Sequence, residues 1–271
     1  MSCNVQVRSV WRTNVEYEFR LIGSLVSHFT FVSIDTEFPG IVYASPHHPS
    51  LLTPDDRYAL MKKNVDALHL IQVGITLSDA DGRLPDLGTR GAAHFVWEFN
   101  ICNFNIHRDL HSSDSINLLI NQGINLERLH NEGIDSWHFA HLLLFKSGLL
   151  CNNAINWITF HSAYDFGYLA KALLRSNLPN NLEQFMQFIR VYFRGQIFDV
   201  KNIIRYCNGI YGGLEKTASL LGIERTVGRS HHSGSDALLI SLVFKRLREI
   251  YFARDGSLHR HAGLLYGVQI Y

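Results

Sequence analysis

The stretch FVSIDTEFPG, residues 31–40, decides the fold. Its first eight residues are rich in β-branched and aromatic side chains and stop at Pro39-Gly40, which predicts a strand followed by a turn. Because side chains alternate across a strand, Asp35 and Glu37 point to the same face. Two neighbouring carboxylates are costly to bury without cations between them, so this is either a half-solvated edge strand or part of a metal site.

Helices and further strands surround this segment in the first half of the chain. Apolar residues recur every three or four positions over 7–26, which predicts one amphipathic N-terminal helix. Thr53 and Pro54 are typical of the cap and the first residue of a helix, which we expect to run to about residue 64. Residues 68–78 and 94–99 are predicted strands, and their short connection favours antiparallel neighbours.

The second half alternates between the two kinds of element. The predictions are helices over most of 112–150, a strand at 155–160, a helix at 162–174, a strand at 196–200 and helices over most of 201–252. This order indicates an α/β protein with a mixed sheet flanked by helices. Since no repeat or linker interrupts it, we expect a single domain over residues 1–271.

Composition excludes several classes of protein. The 271 residues carry 25 Lys and Arg against 24 Asp and Glu. This near-neutral balance excludes a charged disordered tail and is not that of a strongly basic nucleic-acid binder. The charge is uneven, however, because residues 171–271 hold 14 basic and 7 acidic groups. Four scattered cysteines without a CxxC pair exclude a zinc ribbon and favour free thiols. With no long apolar run, we expect a soluble intracellular protein.

A third acid, Asp165, follows the predicted strand at 155–160 where a helix begins. With Ser162 it fits a capping box, which is a structural role. The carboxyl end of a strand is also where α/β sheets bind ligands, and the two roles are compatible.

A fourth acid, Asp236, lies in the segment HHSGSD, residues 231–236, at the start of an apolar helical stripe. His231 precedes it by five residues, and Gly234 would let the chain fold the imidazole back over the carboxylate. The alternative is a helix start with two solvated histidines, His231 and His232.

Taken together, these elements supply four carboxylates and one histidine. Hard oxygen ligands suit Mg²⁺ or Mn²⁺, and four acids can hold two ions about 3.5–4 Å apart for in-line phosphoryl displacement. His231 could then deprotonate the attacking water, since its intrinsic pKa is near neutral.

The pattern Asp35-x-Glu37, Asp165, His231 and Asp236 resembles the three motifs of the DEDD exonuclease superfamily, in its histidine subtype, with an RNase H-like fold. Over nearly the whole chain the sequence further resembles the Pop/Caf family (CCR-associated factor one). The resemblance rests on blocks at residues 33–40, 64–74, 99–100, 114–119, 132–135, 160–169, 198–201 and 234–236. That family usually has Gln and Ala where this chain has His232 and Ser233.

The resemblance implies a poly(A)-specific 3′-to-5′ exoribonuclease, a deadenylase that shortens mRNA tails. Asp35, Glu37 and Asp236 would bind one metal ion, Mg²⁺ or Mn²⁺. Asp35 would also reach a second ion, which Asp165 would help to hold, partly through water, and His231 would be the general base.

The resemblance also implies partners: single-stranded poly(A) RNA, the NOT scaffold subunit and a second deadenylase subunit of the CCR-NOT complex, in the cytoplasm and the nucleus, with no membrane. The N-terminal helix and the helices of 112–150 are candidate docking faces for the scaffold. Two alternatives stay open, a DEDD exonuclease acting more broadly on RNA or DNA and a largely scaffolding subunit.

Other residues have weaker signals. His107 and His111 have a helical spacing that could suit zinc, but no third ligand is nearby, which favours solvated side chains. Four basic residues of the C-terminal third could meet phosphates, although a solvated face is the expected role of any one of them: Lys201, Arg205, Arg225 and Arg229.

Overall fold

A computed structural model describes residues 4–48, 51–253 and 257–268. Within these residues, one six-stranded sheet has the order β1-β4-β3-β2-β5-β6. The strands are β1 (Val5–Val10), β2 (Phe31–Glu37), β3 (Gln72–Ser78), β4 (His94–Asn100), β5 (Asn156–Thr159) and β6 (Gln196–Asp199). The strands β2, β3 and β4 are antiparallel neighbours, as predicted, and the pairs β1·β4, β2·β5 and β5·β6 are parallel. Because β2 lies between β3 and β5, it is not an edge strand.

Helices cover both faces of the sheet. In the described part of the chain they are α1 (Val15–Leu25), α2 (Pro54–Ala67), α3 (Ser113–Asn121), α4 (Leu126–Glu132), α5 (Ser136–Phe145), α6 (Ala163–Leu174), α7 (Leu182–Tyr192), α8 (Val200–Ile203), α9 (Leu214–Leu220) and α10 (Ser233–Tyr251). The larger core contains Val32 and Ile34 of β2, whereas the core under α10 contains Ile158 and Phe198. The RNase H-like mixed sheet flanked by helices is therefore confirmed.

Two predictions about the elements were wrong or incomplete. Residues 5–10 form strand β1 rather than the first turns of the N-terminal helix, which begins only at Val15. The sequence VQVRSV also fits the two-residue period of a strand, and parallel pairing with β4 decides between the two. Helix α7 was not predicted. By contrast, the cap of α2 is as expected, with Thr53 accepting a hydrogen bond from the Asp56 N–H.

Free thiols and short or polar helices are further features of the fold. Cys102, Cys151 and Cys207 are unpaired, as predicted, whereas Cys3 lies outside the described residues. In the described segments, every helix is too short or too polar to cross a bilayer.

Helix α10 starts directly on the sheet because two glycines allow close approach. A Cβ at Gly74 of β3 would lie 1.8 Å from the Ser233 carbonyl oxygen, and one at Gly234 would lie 2.9 Å from Cβ of Glu98. Since Gly74 pairs with Asp35 in the β2·β3 register, this contact brings the first turn of α10 beside the paired acids. Gly234 thus permits helix-to-sheet packing, rather than the backbone reversal that the sequence suggested.

Candidate active site

Three carboxylates converge at one end of the sheet. Asp35 and Glu37 of β2 and Asp236 of α10 each offer an oxygen, and these oxygens lie within 4.8 Å of one another. We call these three residues the carboxylate cluster. Elsewhere in the described residues, no group of three or more His, Cys, Asp or Glu side chains is arranged in this way. The cluster lines a cleft of about 480 Å³ together with Phe160 and His231.

The electrostatics of the cluster suit a divalent cation. Burial raises the pKa of Asp35 and of Glu37 well above their usual ranges, and repulsion from Asp236 and Asp165 raises both further. Such a group must bind protons or cations, because like charges cannot share a poorly hydrated site. Carboxylate oxygens without a nearby thiol are the donors that Mg²⁺ and Mn²⁺ prefer, so the residues present fit those ions.

Asp165 lies in the first turn of α6, outside the three-residue group. Its Oδ1 accepts a hydrogen bond of 2.5 Å from Oγ1 of Thr36. Burial raises the pKa of Asp165 to about 7, although the Thr36 hydroxyl lowers it. The predicted capping box is wrong, since the Ser162 hydroxyl makes no cap and instead donates to Asp199. No signal in the sequence pairs Thr36 with an acid 129 residues away.

His231 is held at the mouth of the cleft by its own backbone. Its φ is 61°, and its N–H donates to Oδ2 of Asp236 at 2.9 Å. This hydrogen bond joins the two residues that lie five positions apart in the sequence. The imidazole is 44% exposed, and its Nδ1 lies 4.0 Å from Oε1 of Glu37. The reversal of the chain that the spacing predicted is therefore present, but the residue in the left-handed conformation is His231 itself.

His232 is not a solvated histidine. Its Nε2 donates to the carbonyl of Gln122 at 2.9 Å, and its Nδ1 lies 3.6 Å from a carboxylate oxygen of Glu98. The Glu98 carboxylate raises the pKa of His232. This residue therefore ties the start of α10 to β4 and to the end of α3.

Among the basic residues, Arg225 has a role that the sequence did not indicate. Its guanidinium donates to Asp236, Glu215 and the Ser235 hydroxyl, and its side chain is only 15% exposed. It therefore offsets charge in the cluster instead of lying on a solvated face.

The remaining basic and histidine candidates lie elsewhere. Lys201 donates to the carbonyl of Gly212, whereas Arg205 and Arg229 are exposed. His111 donates to the Asp109 carbonyl, and neither it nor His107 belongs to a metal-ligand group in the described residues.

An RNase H-like sheet with acids converging at the carboxyl end of β2 is the architecture of a metal-dependent nuclease. A model of the CAF1 family ribonuclease matches residues 10–138. Probable CCR4-associated factor 1 homolog 7 of Arabidopsis thaliana is 43% identical over 98% of this chain and 94% of its own length. The poly(A) ribonuclease pop2 of Schizosaccharomyces pombe is 39% identical over 97% of this chain and 75% of its own.

Solved structures agree with these relatives. S. pombe Pop2p in its Mg²⁺- and Mn²⁺-bound form superposes with a TM-score of 0.85 at 38% identity, covering 96% of this chain and 99% of that one. Yeast CAF1, co-crystallised with the NOT1 MIF4G domain, gives a TM-score of 0.75 at 34% identity and 96% coverage of both chains. The chain belongs to the CAF1 family of ribonucleases.

Proposed function

We propose that this chain is a poly(A)-specific 3′-to-5′ exoribonuclease that removes mRNA tails with two divalent cations, Mg²⁺ or Mn²⁺. The observation that carries the proposal is the carboxylate cluster in a cleft shared with His231. A relative of 39% identity named as a poly(A) ribonuclease supports the substrate. The Pop2p structure in its Mg²⁺- and Mn²⁺-bound form supports the ions.

Each residue has a distinct task in this reaction. Asp35, Glu37 and Asp236 would hold one ion and Asp165 would help to hold the second; when bound, these ions polarise the scissile phosphate and stabilise the charge that develops on it. The imidazole of His231 accepts the proton of the attacking water, because it lines the same cleft as the carboxylate cluster and a histidine nitrogen is the most common general base. Its backbone bond to Asp236 keeps it at the cleft mouth.

A degradation assay tests the activity and its specificity. We expect the purified protein to shorten a 5′-labelled A₂₀ RNA with Mg²⁺ or Mn²⁺, to stop in EDTA, and to act more slowly on mixed-sequence RNA and on DNA of equal length. Asp35→Ala and His231→Ala are expected to lose activity, whereas Asp81→Ala, an exposed acid in a turn, keeps it. Equal rates on all three substrates would favour a broader exonuclease, and full activity of Asp35→Ala would favour a scaffold.

The scaffold partner has a suitable docking face on α5. Trp137, His141 and Phe145 form a row of rings with centroids 5.7 and 4.9 Å apart. Trp137 is 42% and Phe145 is 65% exposed, which is unusual for side chains of this size. The resemblance to yeast CAF1, which was crystallised with a NOT1 MIF4G domain, supports a NOT scaffold as the occupant.

Binding to a purified NOT1 MIF4G domain tests this face. Phe145→Glu is expected to weaken binding at least about 10-fold while nuclease activity stays normal, because a buried aromatic anchor typically dominates an interface. Ile250→Glu on α10 is the matched control, as its side chain is also exposed. Unchanged binding of Phe145→Glu would assign the scaffold to another face.

The proposed enzyme is a single domain that works with a second subunit. Residues 1–271 act as one exoribonuclease domain, and the continuous sheet supports this organisation. The domain works together with a second deadenylase subunit, in the cytoplasm and in the nucleus. Affinity purification of the tagged chain from fractionated cells is expected to recover a second deadenylase from both compartments. Its absence from both would contradict this part.

A further inference from the structure

Asp199, the last residue of β6, is a fully buried carboxylate whose partners are all neutral donors. It accepts five hydrogen bonds, and three segments of the chain supply the donors. Oδ1 accepts from the N–H groups of His161 (2.9 Å) and Lys201 (3.0 Å); Oδ2 accepts from the N–H (3.1 Å) and the hydroxyl (2.9 Å) of Ser162 and from the Tyr266 N–H (2.9 Å). Such a density of donors around one carboxylate fixes the backbone of all three segments relative to one another.

The first of these segments is the turn between β5 and α6. His161 has a φ of 66°, a conformation that a non-glycine residue keeps only where its surroundings hold it. Asp199 holds this turn through three of its five bonds, because His161 and Ser162 together supply three donors. Thr159, which precedes the turn, pairs with Asp199 in the β5·β6 register.

This turn sets the direction in which α6 starts. The helix begins at Ala163, so Asp165 lies in its first turn, three residues after Ser162. The carboxylate of Asp165 reaches Thr36 of β2 at 2.5 Å, and this contact requires one particular orientation of that first turn. A change at the turn would therefore carry Asp165 away from the carboxylate cluster.

The third segment lies near the C-terminus. Tyr266 donates its N–H to Asp199, and its ring meets the imidazole of His161 edge-on, with centroids 4.9 Å apart. Leu265 beside it is buried in the main core, and the Gly263 N–H donates to the Ile197 carbonyl of β6. Residues 263–268 thus close over the same turn that precedes Asp165.

We propose that Asp199 is a positioning residue for the reaction. It orients the first turn of α6 so that Asp165 faces the carboxylate cluster, and it couples residues 263–268 to that turn. Asp199 touches neither substrate nor ion. The inference rests on the proposed function only where activity is the readout.

Asp199→Asn tests the proposal while keeping the side-chain shape. In either orientation of the amide, its NH₂ group faces at least two of the donors that Asp199 satisfies. We expect faster hydrogen exchange at residues 160–166 of the metal-free protein. Mn²⁺ affinity by titration calorimetry is expected to fall about 10- to 100-fold, which is the usual effect of losing a group that orients a metal ligand. At saturating Mn²⁺, kcat is also expected to fall, since Asp165 no longer faces the carboxylate cluster in its wild-type orientation.

Asp66→Asn is the matched control, because Asp66 is also largely buried and accepts a backbone N–H, that of Leu178. It is expected to lower stability without changing Mn²⁺ affinity or exchange at residues 160–166. If Asp199→Asn does not fold, Ser162→Ala, which removes only the hydroxyl donor, is expected to shift both readouts in the same direction by a smaller factor.

Wild-type Mn²⁺ affinity and wild-type exchange at 160–166 in Asp199→Asn overturn the proposal, even if the melting temperature falls. Where that variant is unfolded, an unchanged Ser162→Ala overturns it. A wild-type protein that does not degrade RNA would contradict the proposed function, whereas exchange and Mn²⁺ affinity would still decide the role of Asp199.

Discussion

The contact between Gly74 and α10 makes Gly74→Ala the most diagnostic substitution in the chain. A Cβ there would lie 1.8 Å from the Ser233 carbonyl oxygen, whereas carbon and carbonyl oxygen rest about 3.3 Å apart. The first turn of α10 must therefore retreat by about 1.5 Å, and Asp236 moves with it. Since a misplacement of about 1 Å can cost a factor of about 10² in rate, we expect kcat to fall at least 100-fold.

The sign of the stability change distinguishes the contact with α10 from the intrinsic effect of replacing Gly by Ala in a strand. In a strand interior, Ala is more favourable than Gly by about 0.5–1 kcal/mol, so a loss of stability can come only from the contact with α10. The assay is kcat on A₂₀ RNA at saturating Mn²⁺, with the folded fraction measured by urea denaturation. Ile75→Val, a neighbouring core position, is the control and is expected to lose about 1 kcal/mol with normal kcat. If Gly74→Ala keeps kcat within threefold of wild type, the argument from close approach fails.

Three further predictions concern charge. Arg225→Gln removes the guanidinium from Asp236 and Glu215 and is expected to destabilise the metal-free protein by about 2 kcal/mol, as measured by urea denaturation. Mn²⁺ is expected to recover part of this loss. Equal losses of stability with and without Mn²⁺ would contradict the prediction. Glu98 raises the pKa of His232, so the pairing of these two side chains stabilises the fold fully below about pH 6.5, and this stabilisation is lost as pH rises through the pKa of the folded state. The melting temperature of His232→Gln should therefore differ most from that of the wild type at pH 6. A constant difference up to pH 9 would refute the pairing. Burial raises the pKa values of Asp35 and Glu37 in the carboxylate cluster, so the stability of the metal-free protein falls as pH rises above about 4. Mn²⁺ is therefore expected to raise the melting temperature more at pH 8 than at pH 6. Equal increases in melting temperature at the two pH values would be inconsistent with a cluster that binds protons.

The sequence predicts elements well where one local period dominates. Strand β2 was predicted from eight residues, because β-branched side chains and Pro39-Gly40 leave one interpretation. Strand β1 was missed because Val7 and Val10 fit a helical spacing as well, and its partner β4 lies some 90 residues further on. Long-range pairing, which no local pattern records, decided between the two.

The same division applies to the site. The acids and His231 could be named because their chemistry is unusual in apolar segments, and the spacing from His231 to Asp236 corresponds to a real hydrogen bond. The roles of Thr36 and Arg225 could not be predicted, since an ordinary Thr or Arg acquires such a role only from the carboxylate that folding brings to it. Those contacts depend on the tertiary structure alone.

The placement of Asp236 on α10 determines when the carboxylate cluster is completed during synthesis of the chain. A chain grows from its N-terminus, so β1 to β6 are all synthesised before α10, about 200 residues after Asp35. Until that helix lies on Gly74, the growing polypeptide holds Asp35 and Glu37 without their third carboxylate. The growing chain therefore completes its carboxylate cluster only after α10 has been synthesised and packed against β3.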